Sequence, residues 1–328
     1  MKVLVTGGGG FLGSAICRQL RALDHTVVAY QRGAARQLAA YGVHIVRGDI
    51  CDLPALNRAA AGCDAVIHTA GKAGIWGAPE DYRRSNIGGT EAVIQVCRQQ
   101  AISTLVHTSS PSVVHTGSDI ENGDESLPVA THLSAPYPAT KAIAEQRALA
   151  ANGAALRVTA LRPHLIWGPG DPHLLPRLIS KVRRGRLRLP GSGKKIDTTY
   201  IDNAARAHLD ALFELRQRGG RCAGKAYFIT NNEPLPLGEI VQRLLAAAGL
   251  PGVRIQAIPA VLATSLGSAC EITWRLLRIA AEPPLTRFAA EQLSTAHWFN
   301  GAAARRDLAY SPTVTIAQGL EQLRLAGL

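Results

Sequence analysis

Val3-Leu4-Val5-Thr6-Gly7-Gly8-Gly9-Gly10-Phe11-Leu12-Gly13 reads as a strand that runs into a glycine turn and then a helix. Three apolar residues, two of them β-branched, suit a short buried strand, and a helical pattern continues to about Leu20. Gly7, Gly10 and Gly13 make a G-x-x-G-x-x-G spacing. A turn of this kind does without side chains for three reasons: it is tight, a pyrophosphate must approach the backbone N–H groups at the helix N-terminus, and helix must lie close on strand. A glycine loop that was merely flexible would not be bracketed by a strand and a helix. A dinucleotide cofactor is therefore expected at Gly7, Gly10, Phe11, Leu12 and Gly13.

Further short apolar runs follow at Val27-Val28-Ala29, His44-Ile45-Val46, Ala65-Val66-Ile67, Leu105-Val106 and 156–161. Helical patterns separate most of them, as a parallel sheet with right-handed crossovers requires. Past Arg162 the texture changes, with Pro163, Pro169, Pro172, Pro176 and Pro190 breaking the alternation. A chain of 328 residues is also long enough to split its core. The expected fold is α/β: a Rossmann-type doubly wound parallel sheet with a smaller C-terminal substrate lobe. Residues 1–165 form the dinucleotide-binding domain and 166–328 mainly the substrate lobe. The chain is expected to return to the sheet within 196–230, at Thr198-Thr199-Tyr200 and at 227–230.

The end of the second strand selects the dinucleotide. A carboxylate there binds the ribose hydroxyls of NAD and repels a 2′-phosphate. The sequence is instead Ala29-Tyr30-Gln31-Arg32, with an arginine placed to pair with phosphate. NADPH/NADP+ is the expected cofactor. Asp49, in Gly48-Asp49-Ile50 after the third strand, is a candidate acceptor for the adenine amino group.

Charge and composition narrow the partners. Lys and Arg number 36 against 24 Asp and Glu, a net charge of +12. The densest basic group is Lys181, Arg183, Arg184, Arg186, Arg188, Lys194 and Lys195, with no interleaved aromatic residues, so the stacking platform of a nucleic-acid binder is missing. This group reads either as a solvated loop or as an attractor for an anionic cofactor, a fatty carboxylate or an acidic lipid surface. The six cysteines are scattered, without C-x-x-C or zinc spacing, which argues against a disulfide scaffold or a metal site and fits a reducing cytoplasm. Because the strand pattern starts at Lys2, no signal peptide is expected. The most apolar stretch, 255–279, is interrupted by Pro259, Glu271 and Arg275 and falls short of the ~20 apolar residues of a membrane span. It is expected to be a buried or lid helix, with a helix lying peripherally on a membrane surface as the alternative.

Tyr137-Pro138-Ala139-Thr140-Lys141 places a tyrosine and a lysine one above the other on a helix face. Pro138 is tolerated because the first helical turn has no N–H bond to lose. An ammonium in that position stabilises a tyrosinate and lowers its pKa toward neutrality. Thr108-Ser109-Ser110, at the end of the preceding strand, supplies a hydroxyl to polarise a carbonyl. A chance Tyr-x-x-x-Lys is common; together with the serine and the glycine loop, in this order, it is a strong signal.

These residues resemble the extended short-chain dehydrogenase/reductase superfamily. The resemblance implies that Tyr137 is the general acid/base, Lys141 its partner and holder of the nicotinamide ribose, and Ser110 (in Ser110-Pro111-Ser112-Val113) the catalytic serine, with Ser109 as the alternative. Asn86 matches the helix asparagine near the active site. His68-Thr69-Ala70-Gly71 replaces the usual asparagine-containing turn, so cofactor contacts at Ala70 and Gly71 are expected from the backbone. Pro163 matches the position beside the nicotinamide amide. Gln31 and Ile196 stand where nucleotide-sugar epimerases carry an acidic residue and an arginine, which disfavours that activity.

The segment from His107 to Gly153 resembles the 3-hydroxysteroid and sterol-4-carboxylate dehydrogenase branch. The stretches Ala70-Gly71-Lys72-Ala73-Gly74-Ile75-Trp76-Gly77, Leu161-Arg162-Pro163-His164-Leu165-Ile166-Trp167-Gly168-Pro169-Gly170-Asp171 and Glu282-Pro283-Pro284-Leu285-Thr286-Arg287-Phe288 are similar to bacterial 2-alkyl-3-oxoalkanoate reductases of long-chain olefin biosynthesis. That resemblance implies NADPH-dependent reduction of a fatty-acid-derived 2-alkyl-3-oxo acid. It also implies a homodimer and association with the condensing and β-lactone-forming enzymes of the pathway. A steroid or sterol dehydrogenase is the competing activity; a non-enzymatic dinucleotide sensor would not need the Tyr137–Lys141 pair. Lys72, His164 or the 181–195 cluster are candidate cations for the substrate carboxylate, while His115, Trp76 and Trp167 are candidates either to shape the pocket or to pack.

Overall fold

A computed structural model describes residues 1–131, 133–185, 187–217 and 220–327. Seven strands form one parallel sheet: β1 (Lys2–Thr6), β2 (Thr26–Gln31), β3 (His44–Arg47), β4 (Ala65–His68), β5 (Thr104–Thr108), β6 (Arg157–Pro163) and β7 (Ala226–Ile229). Their spatial order is β7-β6-β5-β4-β1-β2-β3. The order reverses between β1 and β4, and the crevice beyond the carboxyl ends of these strands is where such sheets bind ligands.

Strand side chains alternate between two cores because successive residues point to opposite faces. Val3, Val5, Val27, Ala29 and Ile67 pack beneath α1 (Phe11–Ala22) and α5 (Ile201–Arg216). Leu4, Val28, Val66 and Leu105 pack beneath α2 (Leu53–Ala60), α3 (Gly89–Gln99) and α4 (Pro136–Ala150). Both faces are covered, which is why these strands read as continuous apolar runs. Asp52 caps α2 by accepting from the Ala55 N–H at 3.0 Å.

Of the two expected returns to the sheet, only 226–229 occurs. Ala226 to Ile229 pair with Ala160 to Pro163 and fill the edge beside β6. Thr199–Tyr200 pairs instead with Ile166–Trp167 in a separate ladder, after the chain turns at Leu165 with φ +37°. Trp167 is fully buried there, donating to Thr198 Oγ1 at 3.0 Å and meeting Tyr200 edge-on, so it packs rather than lining a cleft.

The remaining lobe contains a four-stranded sheet of Leu235–Pro236, Lys195–Ile196, His297–Phe299 and Ile120–Gly123. Within 255–279 the helix is α6 (Ala260–Leu276), which packs against α7 (Arg287–Ser294). It is not a buried helix: only Ala263 and Gly267 are fully buried. Gly267 allows the close approach, since a Cβ there would lie 2.8 Å from the Thr286 carbonyl oxygen. Among the described residues no helix is long and apolar enough to cross a membrane, and no cluster of ligating side chains could hold a metal.

Candidate active site

A cavity of about 390 Å³ opens at the switch point. Gly7, Gly9 and Gly10 form its floor, Gln31 and Arg32 the end of β2, Asp49 and Ile50 the turn after β3, and Ala70 and Gly71 the turn after β4. The glycines are required by geometry. Gly7 has φ +71°, and a Cβ on it would sit 2.8 Å from the Ala70 nitrogen. A Cβ on Gly13 would come within 2.2 Å of the Gly7 oxygen, prying the helix off the loop. No side chain caps the N-terminus of α1. The cavity thus brings together Gly7, Gly10, Arg32, Asp49, Ile50, Ala70 and Gly71. Phe11, Leu12 and Gly13 follow in the first turn of α1, and Lys141 and Pro163 lie outside this lining.

Electrostatics at the adenosine end involve residues that carried no motif. Arg84 Nη2 pairs with Asp49 Oδ2 at 2.9 Å, and the Cys51 N–H donates to Oδ1 at 2.9 Å. The Cys51 N–H and Arg84 together hold the Asp49 carboxyl below its usual range. Gln31 is buried in the cavity wall, and both polar atoms of its amide lack a partner among the described residues. A buried unpaired amide is costly unless a ligand satisfies it, so this wall suits a polar ligand such as a ribose. Arg32 stands beside it, exposed at the rim.

The catalytic set assembles from β5 and α4. Ser110 Oγ accepts from Ser112 Oγ at 2.9 Å and from the Ser112 N–H at 3.2 Å, which leaves its own proton free to donate outward. Burial raises the Tyr137 hydroxyl above an ordinary phenol, and hydrogen bonding from Ser110 works against that rise. Ser109 is buried and its hydroxyl has no partner among the described residues, whereas Ser110 is the serine that meets Tyr137. The lowering of the Tyr137 pKa by Lys141 is not seen in this arrangement. Lys141 Nζ donates to the Thr108 carbonyl, and burial lowers the lysine itself to about 8.

His208, in the middle of α5, braces this corner. Its Nδ1 bonds the Ala204 carbonyl at 2.7 Å, which assigns the proton to Nδ1 because a carbonyl only accepts. Nε2 then accepts from Thr108 Oγ1 at 2.9 Å, and burial holds the ring neutral, at about 4. Asn86 lies in a π-helical turn, Arg83–Gly88, before α3. Its Oδ1 accepts from the Lys72 N–H at 2.7 Å, and its Nδ2 donates to the Lys72 carbonyl at 3.2 Å and to Thr140 Oγ1 at 3.0 Å. One amide therefore ties the loop after β4 to the catalytic helix.

Two candidate cations for a carboxylate are spoken for. Lys72 Nζ pairs with Asp81 at 2.7 Å, and His164 is buried with its pKa pushed far down, so it carries no charge. In the basic cluster Lys194 pairs with Asp119, and Arg186 lies outside the described residues. His115 is buried and bonded to Thr295 Oγ1 at 3.0 Å, a packing position. Trp76 lies under the Arg275 guanidinium, 5.8 Å from the ring centre.

The depressed lysine gives a pH signature. Folded Lys141 binds fewer protons than the unfolded chain between about 8 and 10.5, so stability rises with pH across that window and carries the full burial penalty below it. If the ammonium is the working form, turnover is level below pH 8 and falls above it. A pH–rate profile of wild type against Lys141→Arg checks this; a basic limb unchanged in the variant would assign it to another group.

A Rossmann sheet with a dinucleotide cavity and a Ser–Tyr–Lys set defines an oxidoreductase of the extended short-chain dehydrogenase/reductase class. The chain belongs to the 3-beta hydroxysteroid dehydrogenase/isomerase family, whose pattern it matches over residues 4–259. It is 53% identical over 327 residues to the 2-alkyl-3-oxoalkanoate reductase of Stenotrophomonas maltophilia, covering 99% of this chain and 98% of that protein. It is 44% identical to the Shewanella oneidensis protein of the same name, covering 98% and 84%. Its fold matches a dTDP-glucose 4,6-dehydratase from Streptomyces venezuelae solved with NAD bound, with TM-score 0.77 at 24% identity, covering 99% and 96%.

Proposed function

We propose that the chain is an NADPH-dependent reductase of 2-alkyl-3-oxoalkanoic acids, yielding the 2-alkyl-3-hydroxy acid in olefin biosynthesis. The observation that carries this reading is the near-complete overlap with two reductases of that name, joined to a site in which Ser110 faces Tyr137. The glycine loop, Gln31 and Arg32 hold the dinucleotide, with Arg32 pairing the 2′-phosphate. The reduced nicotinamide, when bound, supplies a hydride to the 3-keto carbon. Ser110 donates a hydrogen bond to the carbonyl oxygen, and Tyr137 transfers its phenolic proton to that oxygen as charge develops. Lys141, whose ammonium does not act on the Tyr137 hydroxyl in this arrangement, would hold the ribose. Pro163 at the end of β6 keeps the backbone beside the nicotinamide amide.

The test runs in reverse, because a 3-oxo acid decarboxylates spontaneously. Purified protein is given a 2-alkyl-3-hydroxyalkanoic acid with NADP+ or NAD+, and a 3-hydroxysteroid in parallel. Turnover of the fatty acid with NADP+ is expected. Turnover of the steroid alone would keep the chemistry and overturn the substrate. Arg32→Ala is expected to lower the NADP+/NAD+ ratio of kcat/KM by roughly 10–100-fold, the worth of a charge-assisted bond. An unchanged ratio would remove Arg32 from the phosphate site.

This reading extends to a homodimer through α3 and α4, which rests on the family resemblance. It extends also to association with the enzymes that make the oxo acid and close the β-lactone. A monomer in sedimentation would remove the dimer.

A further inference from the structure

Helix α6 is the part of the molecule that the reaction does not explain. It is about 25 Å long at 1.5 Å per residue, and it packs on the rest of the chain through one face, with Ala263 and Gly267 buried and Thr264, Ser268, Cys270, Glu271 and Trp274 half-buried. Val261, Leu262, Leu266, Ile272, Leu276 and Leu277 are exposed, Val261 and Leu276 by 77% and 78%. The exposed charged side chain within the helix is Arg275, at the border of that face. Glu271 is turned inward, bonding the Arg287 N–H at 2.8 Å, with Arg275 at 3.5 Å. An exposed apolar strip of this kind marks a surface that meets something else.

Its surroundings are cationic. Arg254 precedes the helix and Arg278 follows it; both are exposed, and neither is ion-paired among the described residues. The ladder that pairs Gln256 with Arg188 brings a third arginine alongside, next to exposed Arg183 and Arg184. The acidic residue beyond the helix, Glu282, is occupied by Arg177 at 2.8 Å. Apolar side chains flanked by unpaired arginines, on a protein of net charge +12, are complementary to a surface that is apolar inside and negative outside.

We propose that α6 docks the protein on an anionic lipid bilayer, lying in the plane of the headgroups with Leu262, Leu266, Ile272 and Leu276 inserted. The Arg275–Trp76 contact joins the end of this helix to the loop after β4, so docking brings the edge of the substrate side to the membrane. Delivery of a twin-chain acid from that bilayer rests on the function proposed above; the docking itself does not.

The experiment is vesicle flotation of the intact protein, without substrate, on phosphatidylcholine alone and on phosphatidylcholine with roughly one-third phosphatidylglycerol. Binding to the anionic vesicles is expected to be at least about tenfold stronger, and to weaken with salt. Leu262→Asp/Ile272→Asp is expected to reduce it to background, and Arg254→Glu/Arg278→Glu by about tenfold or more, with unchanged thermal unfolding because these side chains are exposed. Absence of binding, equal binding to both vesicles, or binding unmoved by these substitutions would each overturn the proposal. So would a wild-type dimer that Leu262→Asp/Ile272→Asp splits, which would make the face a contact between copies. Turnover of a short, soluble substrate without vesicles reads the catalytic proposal separately.

Discussion

Tyr137→Phe is expected to lower turnover by at least about 10²-fold while dinucleotide affinity stays within about twofold of wild type. The substitution removes one oxygen and leaves the ring that packs at the start of α4. The carbonyl then still has the Ser110 hydrogen bond, but no acid to neutralise the developing alkoxide, so the loss falls on kcat. Burial already keeps this phenol protonated, which is the form a reductase must offer. On the function proposed above, dinucleotide binding rests mainly on the glycine cavity, which Tyr137 does not line. Steady-state kinetics with fluorescence titration of the reduced cofactor check both halves. A variant that keeps most of its turnover would assign proton transfer to another group, and a matched loss of affinity would make Tyr137 a binding residue.

The largest effect on stability is expected at Glu145, one turn beyond Lys141. Its carboxylate grips Arg162 of β6 through two bonds, Nε to Oε2 at 2.8 Å and Nη2 to Oε1 at 2.6 Å. Both side chains are almost wholly buried, at 1% and 5% exposure. The guanidinium also lies 5.0 Å from the centre of the Phe228 ring on β7. Glu145→Ala would leave the arginine buried without its counter-charge and is expected to cost about 3–5 kcal/mol, since the penalty of an orphaned ion exceeds the net value of the pair. Denaturant unfolding measures it, with a fall in Tm on the order of 5 °C. Glu145→Met combined with Arg162→Leu should recover much of the loss, because the pair itself contributes little beyond its own desolvation. A cost below about 1 kcal/mol for Glu145→Ala would show that water reaches this site. Glu145 also raises the pKa of Lys141, so its removal should move the basic limb of the pH–rate profile to lower pH.

What the sequence made legible was what is local. The glycine spacing and the strand before it lie within eleven residues, and Tyr137 and Lys141 are one helical turn apart, so periodicity alone places them. Partnerships across the chain were not legible. His208 reaches Thr108 over 100 residues, and nothing in the pattern of α5 marks that histidine. Thr198-Thr199-Tyr200 has the β-branched character of a strand, yet composition does not say which neighbour it will find, and β7 had taken the edge of the main sheet. Lys72 looks free in the sequence, but the fold brings Asp81 back to it. The hydropathy of 255–279 left a buried helix, a lid and a membrane-surface helix open, because an apolar count reports what a helix could cover and not whether anything lies over it.

Every residue lining the glycine cavity falls between Gly7 and Ser85, whereas the sheet is not completed until Ala226–Ile229 arrives. On the ribosome the glycine cavity thus leaves the exit tunnel well before the strand that completes the sheet. A dinucleotide that binds this early segment would stabilise it by mass action while its outer strands wait for partners. The order of the strands along the chain is in that sense a schedule, in which the ligand site is laid down before the acid that uses it.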